Sequence, residues 1–580
     1  MRFMRVLDKS IGGYQSYGLR GRTIESNMEL TRFAYDYAQV TRGRFIFFQA
    51  DLEKAFDRVS HAFLLRVMQH VRVGDTLLRW AQIVYGGLSA RLLINGELST
   101  PVYLGRSIRQ GCALSATLFS LYMEPLLRSI SMDPAIRGFR INDTLHVKVA
   151  AYADDASFFL RDKGELMRVV CHFRRFQRVS GACLNVGKSS GCWIGQWVNP
   201  PMDLLGMRWT FNSIERHLGI RIATVPEIVG FWQNKYNAIN AVAQGWRRRS
   251  VSHTDLAYLC NQVLFPAAWF SMRSMCTPIE VVAKFERLLA TVVWRGNLER
   301  MTRTNLYLPY RAGGFGLVYL SAKLAIHFVR WLLSTSGPAI EFFKRFFFAS
   351  LLPGIVISTT TSTRALCSAT LHYRHIVRHI RMALRVFSLE EVLTLSKKVL
   401  YWRLVENLCP VPLYRLPAPV SPIQKSVLIR LRSCKLTMEQ RDFYQQVHTR
   451  TVMTRVFKHE KNIPVDSVDC EFCFQPQTIE HVLVNCFVAR DFWFTFRQFF
   501  KTSWNFDLTT MRYLDWTGCQ EFPCGFPGAT ILVIAMRALW TSIREHEERF
   551  PLVRPPWATF LTDFRTVVRL FPEDFASYVD

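Results

Sequence analysis

Ala151-Tyr152-Ala153-Asp154-Asp155 places two adjacent carboxylates between strand-like apolar flanks, Val147 and Val149 before them and Phe158 and Phe159 after. The pattern reads as a β-hairpin with acids at its tip. Adjacent acids repel one another and are costly to desolvate, so a fold keeps them together mainly where a divalent cation neutralises them. Turn aspartates commonly do no more than satisfy nearby backbone N–H groups. Here a third carboxylate, Asp51, ends the apolar run RFIFFQAD about a hundred residues upstream, and Tyr152 gives the pair Tyr-x-Asp-Asp spacing.

Three aspartates from two strand ends are what a two-metal nucleotidyl transferase needs. Two Mg2+ ions about 3.5–4 Å apart activate a primer 3′-hydroxyl and stabilise the departing pyrophosphate. Positioning and charge stabilisation then supply most of the acceleration. Asp51, Asp154 and Asp155 are the expected catalytic and magnesium-holding residues. The chain is expected to turn straight from Asp51 into a helix, which would present that carboxylate at the sheet's edge. Phe56, five residues on, would lie beneath the sugar of an incoming nucleotide, where an aromatic ring clashes with a 2′-hydroxyl and favours deoxyribonucleotides. Asp57 reads as a helix N-terminal carboxylate helped by the dipole, and Glu53 as solvated.

The periodicity describes an α+β unit followed by helices. A helix leads to the strand 44–51, helical patterns cover 61–72 and 75–85, and Asn95-Gly96 between apolar runs marks a hairpin because both turn residues need φ > 0. A helix over 114–129, a hairpin over 145–160, a helix over 164–179 and strands near 190–195 and 219–222 complete the unit. From about residue 226 the pattern is helical.

Charge points to the partner. The chain has 73 Lys+Arg against 45 Asp+Glu, a net charge of +28 over 580 residues, spread along its length with clusters such as Arg247-Arg248-Arg249. Nucleic acid is the natural polyanion for such a surface. Most of the 14 cysteines sit singly in apolar contexts, as reduced core thiols do. The N-terminal MRFMRVLDKSIGG has no apolar h-region. The windows 342–357 and 529–540 are too short or too basic for a membrane span and read as buried helix or strand. A nuclear and cytoplasmic, non-secreted protein without a membrane partner is expected.

One cysteine cluster differs from the rest. Cys470, Cys473, His481 and Cys486 give C-x2-C-x7-H-x4-C, a donor set suited to one closed, tetrahedral, structural Zn2+ site. His481 is expected on a helix, TIEHVLVNC, that aims it and Cys486 at the ion. Cys519 and Cys524 fall outside the pattern. Lys458, Lys461 and Arg490, with Phe472, Phe474 and Trp493, would supply phosphate contacts and stacking, or the aromatics pack the knuckle's own small core.

The order of the motifs resembles the reverse transcriptases of non-LTR (LINE-type) retrotransposons. The matching stretches are GRTIESN (21–27), FFQADLEKAFDRV (47–59), INGELSTPVYLGRSIRQGCALSATLFSLYMEPL (94–126), AYADDASFF (151–159), GACLNVGKSS (181–190) and HLGIRI (217–222). The likeness continues through GWRRRSVS (245–252), VVWRG (292–296) and LPYRAGGFGL (308–317), and returns at 470–486. It implies a right-hand polymerase with partial fingers and palm over 1–225, a helical thumb over 226–334, a helical connector over 335–460, a CCHC zinc knuckle over 461–492 and a helical tail over 493–580. It implies that Gln110 and Gly111 contact the incoming nucleotide and template base, that Arg109 orders their loop, that Tyr152 borders the substrate, and that Lys188 neutralises or protonates pyrophosphate. Leu218, Gly219 and Ile220 would be the primer grip. The implied partners are an RNA template, a DNA primer or target, and dNTPs.

Departures from the family pattern are Ser107 in place of glycine, and Ala113 and Ala116 in place of prolines. The chain also begins inside the fingers, as a 5′-truncated copy would. Residues 490–580 lack the spaced acids of a restriction-like nuclease, so none is expected there. Two readings from different classes stay open: an RNA-directed DNA polymerase, and an inactive or domesticated remnant that binds nucleic acid without polymerising.

Overall fold

The computed structural model describes residues 10–19, 22–109, 111–112, 114–223, 225–249, 251–274, 277–309, 314–356, 371–410, 436–500, 525–549 and 555–575. These form two compact units: Met1–Asn234 with Phe270–Ile279 and His327–Met382, and Lys235–Trp269 with Glu280–Ile326 and Ala383–Asp580. Among the described residues no helix is long and apolar enough to cross a membrane.

The first unit is mixed helix and sheet. Helix α1 (Ile24–Thr41) starts where the Thr23 side chain accepts the Ser26 N–H and ends at Arg42 in the left-handed region. Strand β1 (Arg44–Ala50) follows, then α2 (His61–His70) and α3 (Asp75–Tyr85). Four two-residue strands, β2 (Ser89–Ala90), β3 (Leu93–Ile94), β4 (Glu97–Leu98) and β5 (Val102–Tyr103), make nested hairpins, with Asn95 and Gly96 at φ 52° and 89° in the inner turn. Next come α4 (Ser115–Met132), the pair β6 (Phe139–Arg140) and β7 (His146–Val147), the hairpin β8 (Val149–Tyr152) and β9 (Asp155–Leu160), and α5 (Lys163–Ser180). The last strands are β10 (Ser190–Gly195), β11 (Asp203–Leu204), β12 (Met207–Phe211), β13 (Ile214–His217) and β14 (Ile220–Ile222).

One six-stranded sheet, in the order β11-β12-β10-β1-β9-β8, organises the unit. Its centre is β1, antiparallel to both β9 and β10. A strand covered on both faces needs apolar residues at consecutive positions, and Phe45, Ile46, Phe47 and Phe48 are all buried. Alternation divides them between two faces. Ile46 and Phe48 join the core built with α2, α4 and α5, which includes Leu64, Phe119, Tyr122 and Phe173. Phe45 and Phe47 pack opposite, with ring centroids 4.4 Å from Phe139 and 5.3 Å from His217. Phe33 of α1 lies 5.6–5.8 Å from the rings of Phe343, Phe347 and Tyr373.

The expected helix directly after Asp51 is absent. Residues 53–58 are successive turns, with Lys54 at φ 46°, and α2 begins only after Ser60 caps the Phe63 N–H. The reason is a competing use of the backbone. The Asp51 carbonyl accepts from Asn185 N–H and the Glu53 N–H donates to the Cys183 carbonyl, at 2.8 and 2.9 Å, so the groups that would start a helix are already spent. Asp57 consequently sits in a turn, its N–H on the Lys54 carbonyl, and Glu53 is ion-paired to Arg58 at 2.5 Å.

The second unit is helical where described. The apolar window 529–540 lies within the helix Gly525–Arg549 and, with Phe492, Trp493, Phe496, Phe560 and Phe564, forms a core around Cys470 and Cys486.

Candidate active site and cysteine cluster

Asp51 follows the last residue of β1, and Asp155 opens β9 beside it, with Ala50 and Ala156 in register. Both line one cleft of about 590 Å3, together with Gln49, Tyr152, Lys188, Arg208, Arg216, Leu218 and Gly219. Asp154 stands in the two-residue turn next to Asp155. Burial raises the Asp51 carboxyl above the usual range; Lys188 works against that rise, and Asp154 adds to it. Partial desolvation in the cleft, and then Asp154 and Asp51, push Asp155 up to about 6, opposed by Arg216. Its side chain still reaches solvent at the cleft.

Among the described residues none of the three carboxylates forms an ion pair or accepts a side-chain hydrogen bond. Acids that raise the Asp51 and Asp155 carboxyls, with Lys188 and Arg216 near but not ion-paired to them, fit a site for cations. Among the described residues, the one group of three or more His, Cys, Asp or Glu side chains placed to hold a metal ion is the cysteine cluster described below.

The remaining expected residues fall in two groups. Lys188, Tyr152, Leu218 and Gly219 share the cleft with Asp51 and Asp155. The β13–β14 turn has Leu218 and Gly219 at φ 48° and 83°, and a side chain at Gly219 would press on the Phe270 ring, 3.2 Å from its Cβ, so glycine is favoured there. Ile220 is buried beneath. Phe56, Arg109 and Gly111 are not among the residues lining this cleft. Phe56 stacks on Phe119 with centroids 4.7 Å apart, Arg109 is exposed with its carbonyl accepting from Ser115 Oγ, and Gly111 has φ 84°. Gln110 and Ala113 lie outside the described residues. Ser107 has φ 101°, a conformation that favours glycine, and its carbonyl accepts from His61 Nε2 at 2.7 Å.

Sequence reasoning missed a polar set beneath the cleft. His217 is 1% exposed; its Nε2 lies 3.0 Å from Thr31 Oγ1 and its Nδ1 3.3 Å from Gln49 Nε2. With Gln49 donating to Nδ1 and Nε2–H donating to Thr31, the ring is neutral. It ties β13 to β1 two residues before Asp51. Burial depresses the imidazole to about 4. Below its free value of ~6.5 the unfolded chain binds a proton that the folded chain refuses, so stability falls as pH drops from 6.5 to 4 and is full above 6.5. Urea midpoints of wild type should decline over that window, by about 3 kcal/mol at the acid end. His217→Asn should flatten that part of the profile, and an unchanged slope would refute the assignment.

The cysteine cluster lies wholly within the second unit. The ligand atoms of Cys470, Cys473, His481 and Cys486 all lie within 4.8 Å of one another. Cys470 and Cys473 sulfurs are each 3.9 Å from Cys486 Sγ, and Cys473 Sγ is 3.0 Å from His481 Nε2. Tetrahedral Zn–S bonds of about 2.3 Å set sulfurs roughly 3.8 Å apart, so the spacing is compatible with zinc. The segment His481–Asn485 is a π-turn rather than the expected α-helix, closed by Cys486 N–H on the His481 carbonyl at 2.8 Å. At 3.6 residues per turn His481 and Cys486 would point roughly 140° apart, whereas the wider turn brings both to one side. Phe474 is 80% exposed, while Trp493 is buried and its indole N–H donates to the Leu483 carbonyl. Cys519 and Cys524 lie outside the described residues.

Comparison with known proteins supports the geometry. Residues 4–209 match the family model described as reverse transcriptase (RNA-dependent DNA polymerase). The chain is 28% identical over 331 residues to the "Transposon TX1 uncharacterized 149 kDa protein" of Xenopus laevis, covering 56% of this chain and 25% of that protein. It is 29% identical over 280 residues to the Pol polyprotein of the type-2 retrotransposable element R2DM of Drosophila melanogaster, 46% of this chain and 26% of the other. Over residues 4–209 the chain is thus similar to reverse transcriptases, and these relatives are proteins of transposable elements. With the Pol polyprotein of the R2 element of Popillia japonica the identity is 21% over 342 residues, 52% of this chain and 53% of that protein. The chain thus spans between a quarter and about half the length of these relatives. The similarity to reverse transcriptases implies a palm-type polymerase fold, and the sheet β11-β12-β10-β1-β9-β8 carries Asp51 and Asp155 at neighbouring strand ends.

Proposed function

We propose that this chain is an RNA-directed DNA polymerase that extends a DNA primer on an RNA template, adding dNTPs, for a non-LTR retrotransposon. The observation that carries the reading is the cleft in the segment that matches reverse transcriptases, which gathers Asp51, Asp155, Tyr152, Lys188 and Gly219 with no ion pair closed, among the described residues, between the acids and the basic residues around them. Residues 1–225 would belong to palm and fingers, 226–334 to the thumb, 335–460 to a connector, 461–492 to a zinc knuckle and 493–580 to a helical tail. The net charge of +28 suits the nucleic-acid partners, and nuclear and cytoplasmic ribonucleoprotein is the matching location.

Asp51, Asp154 and Asp155 would hold Mg2+, which lowers the cost of charge on the attacking and leaving oxygens. Lys188, exposed on the cleft, would meet the negative charge of the departing pyrophosphate. Leu218 and Gly219 would let the primer backbone approach the sheet, because no side chain projects from Gly219. Cys470, Cys473, His481 and Cys486 would hold Zn2+ in a structural role.

Primer extension on poly(rA)/oligo(dT) with Mg2+ tests the reading, comparing wild type with Asp154→Asn. Extension by the wild type and none by the variant is expected. Failure of both would favour the alternative, a remnant that binds nucleic acid without polymerising.

A further inference from the structure

The turn that presents Asp154 and Asp155 joins β8 to β9 through two residues, and the first of them, Ala153, has φ 56°. Two-residue hairpin turns with one positive φ at that place favour glycine, because an L side chain is strained there. A strained backbone persists only where the surroundings over-determine it. What surrounds Ala153 is Gln15, whose residue is 0% exposed. Its Oε1 accepts the Ala153 N–H at 3.2 Å, and its Nε2 lies 3.4 Å from the Ala153 carbonyl oxygen. The same Oε1 accepts the Tyr17 N–H at 3.0 Å. A single buried amide thus takes both backbone groups of the strained residue.

Gln15 is itself fixed from several sides. The stretch 14–16 lies parallel to β8, with Ala151 N–H donating to the Tyr14 carbonyl and Ser16 N–H to the Ala151 carbonyl at 2.7 and 2.9 Å. Asn27 of α1 adds a bond from Nδ2 to the same Ala151 carbonyl at 2.7 Å and accepts from Ser16 Oγ. Arg22 Nη1 donates to the Gln15 carbonyl at 2.8 Å. On the far side the Tyr17 ring meets Tyr152 edge-on, 5.1 Å between centroids.

We infer that Gln15 is a positioning residue for the catalytic turn: its carboxamide clamps Ala153 in the left-handed conformation, and so sets where the Asp154 and Asp155 carboxylates meet the metal ions. This rests on the polymerase reading for its consequence in catalysis, but the clamp is a property of the fold. Removing the amide while keeping the volume frees Ala153 to relax and moves both acids together. Misplacement of about 1 Å in such a site costs on the order of 10–100-fold in rate.

The test uses the full chain as wild type, Gln15→Met, and Gln15→Met with Ala153→Gly, a residue that takes φ > 0 without help. Three quantities are read: hydrogen–deuterium exchange, Mn2+ affinity from the electron paramagnetic resonance of free Mn2+, and extension of oligo(dT) on poly(rA). Gln15→Met should speed exchange in 149–156 while leaving 44–50 protected, weaken Mn2+ binding several-fold and lower kcat with dTTP KM within about twofold. Adding Ala153→Gly should recover part of both losses. Wild-type exchange and Mn2+ affinity in Gln15→Met would overturn the clamp, as would exchange rising equally through the whole sheet. A wild type that binds Mn2+ but never extends a primer counts against the polymerase reading, and the exchange and Mn2+ results still decide the clamp.

Discussion

Asp51→Asn should reduce primer extension by on the order of 10^3-fold or more while leaving the fold in place. The two halves of that expectation have separate causes. Asp51 is anchored by its backbone: its N–H donates to Ser189 Oγ at 3.1 Å and its carbonyl accepts from Asn185 N–H. The side chain bonds to nothing the fold depends on, so an isosteric amide disturbs no contact. The charge itself is disfavoured in the apo chain, because burial and Asp154 raise this carboxyl against the pull of Lys188. Removing an acid whose folded pKa is raised relieves a penalty present above that pKa. The melting temperature of Asp51→Asn at pH 7–8 without divalent ions should therefore equal or exceed that of wild type, and Mg2+ should stabilise the variant less than it stabilises wild type. A variant that melts earlier and loses activity only in proportion would show Asp51 to be structural.

Much of this site was legible because it rests on local rules. Asp154-Asp155 between apolar flanks gave the hairpin, and Asn95-Gly96 gave a turn with two positive φ angles. RFIFFQA gave a strand, which the fold then buries on both faces, and Ser190–Gly195 emerged as β10 with the expected bounds. The turns at 53–58 were not legible, because what prevents a helix there is pairing with Cys183 and Asn185, over a hundred residues away in sequence. Helix propensity cannot register a partner of that kind. His217 and Gln15 were missed for a related reason: each is an ordinary polar residue in an apolar context until the fold sets Thr31, Gln49 or Ala153 against it. The positive φ at Ser107 shows the reverse relation, since a departure noted in the sequence lies where the backbone strains a side chain. For His481 the residue was evident but not its backbone, as an i→i+5 turn has no periodicity signal in five residues.

Cys486→Ala should empty the knuckle of metal and open the core around it. Cys470 and Cys486 are 1% and 0% exposed and belong to the same apolar cluster as Leu483, Trp493, Phe496, Ile531 and Phe560. Four donors within 4.8 Å of one another make the ligand loop and that core one structure. Structural zinc sites contribute about 10–16 kcal/mol of apparent binding free energy at neutral pH, more than a small aromatic core can replace, so loss of the ion is expected to unfold 468–496 rather than loosen it. Elemental analysis of the wild type should return one zinc per chain, and Cys486→Ala much less. Hydrogen exchange over 468–496 should lose protection in the variant and in wild type treated with chelator, with protection in 44–50 unchanged because that strand belongs to the other unit. His481→Cys separates a metal site from a packed thiol core, since four thiolates still satisfy tetrahedral zinc. It should keep the ion and the protection, whereas a core held by packing alone would show no zinc in any of these proteins and no response to chelator.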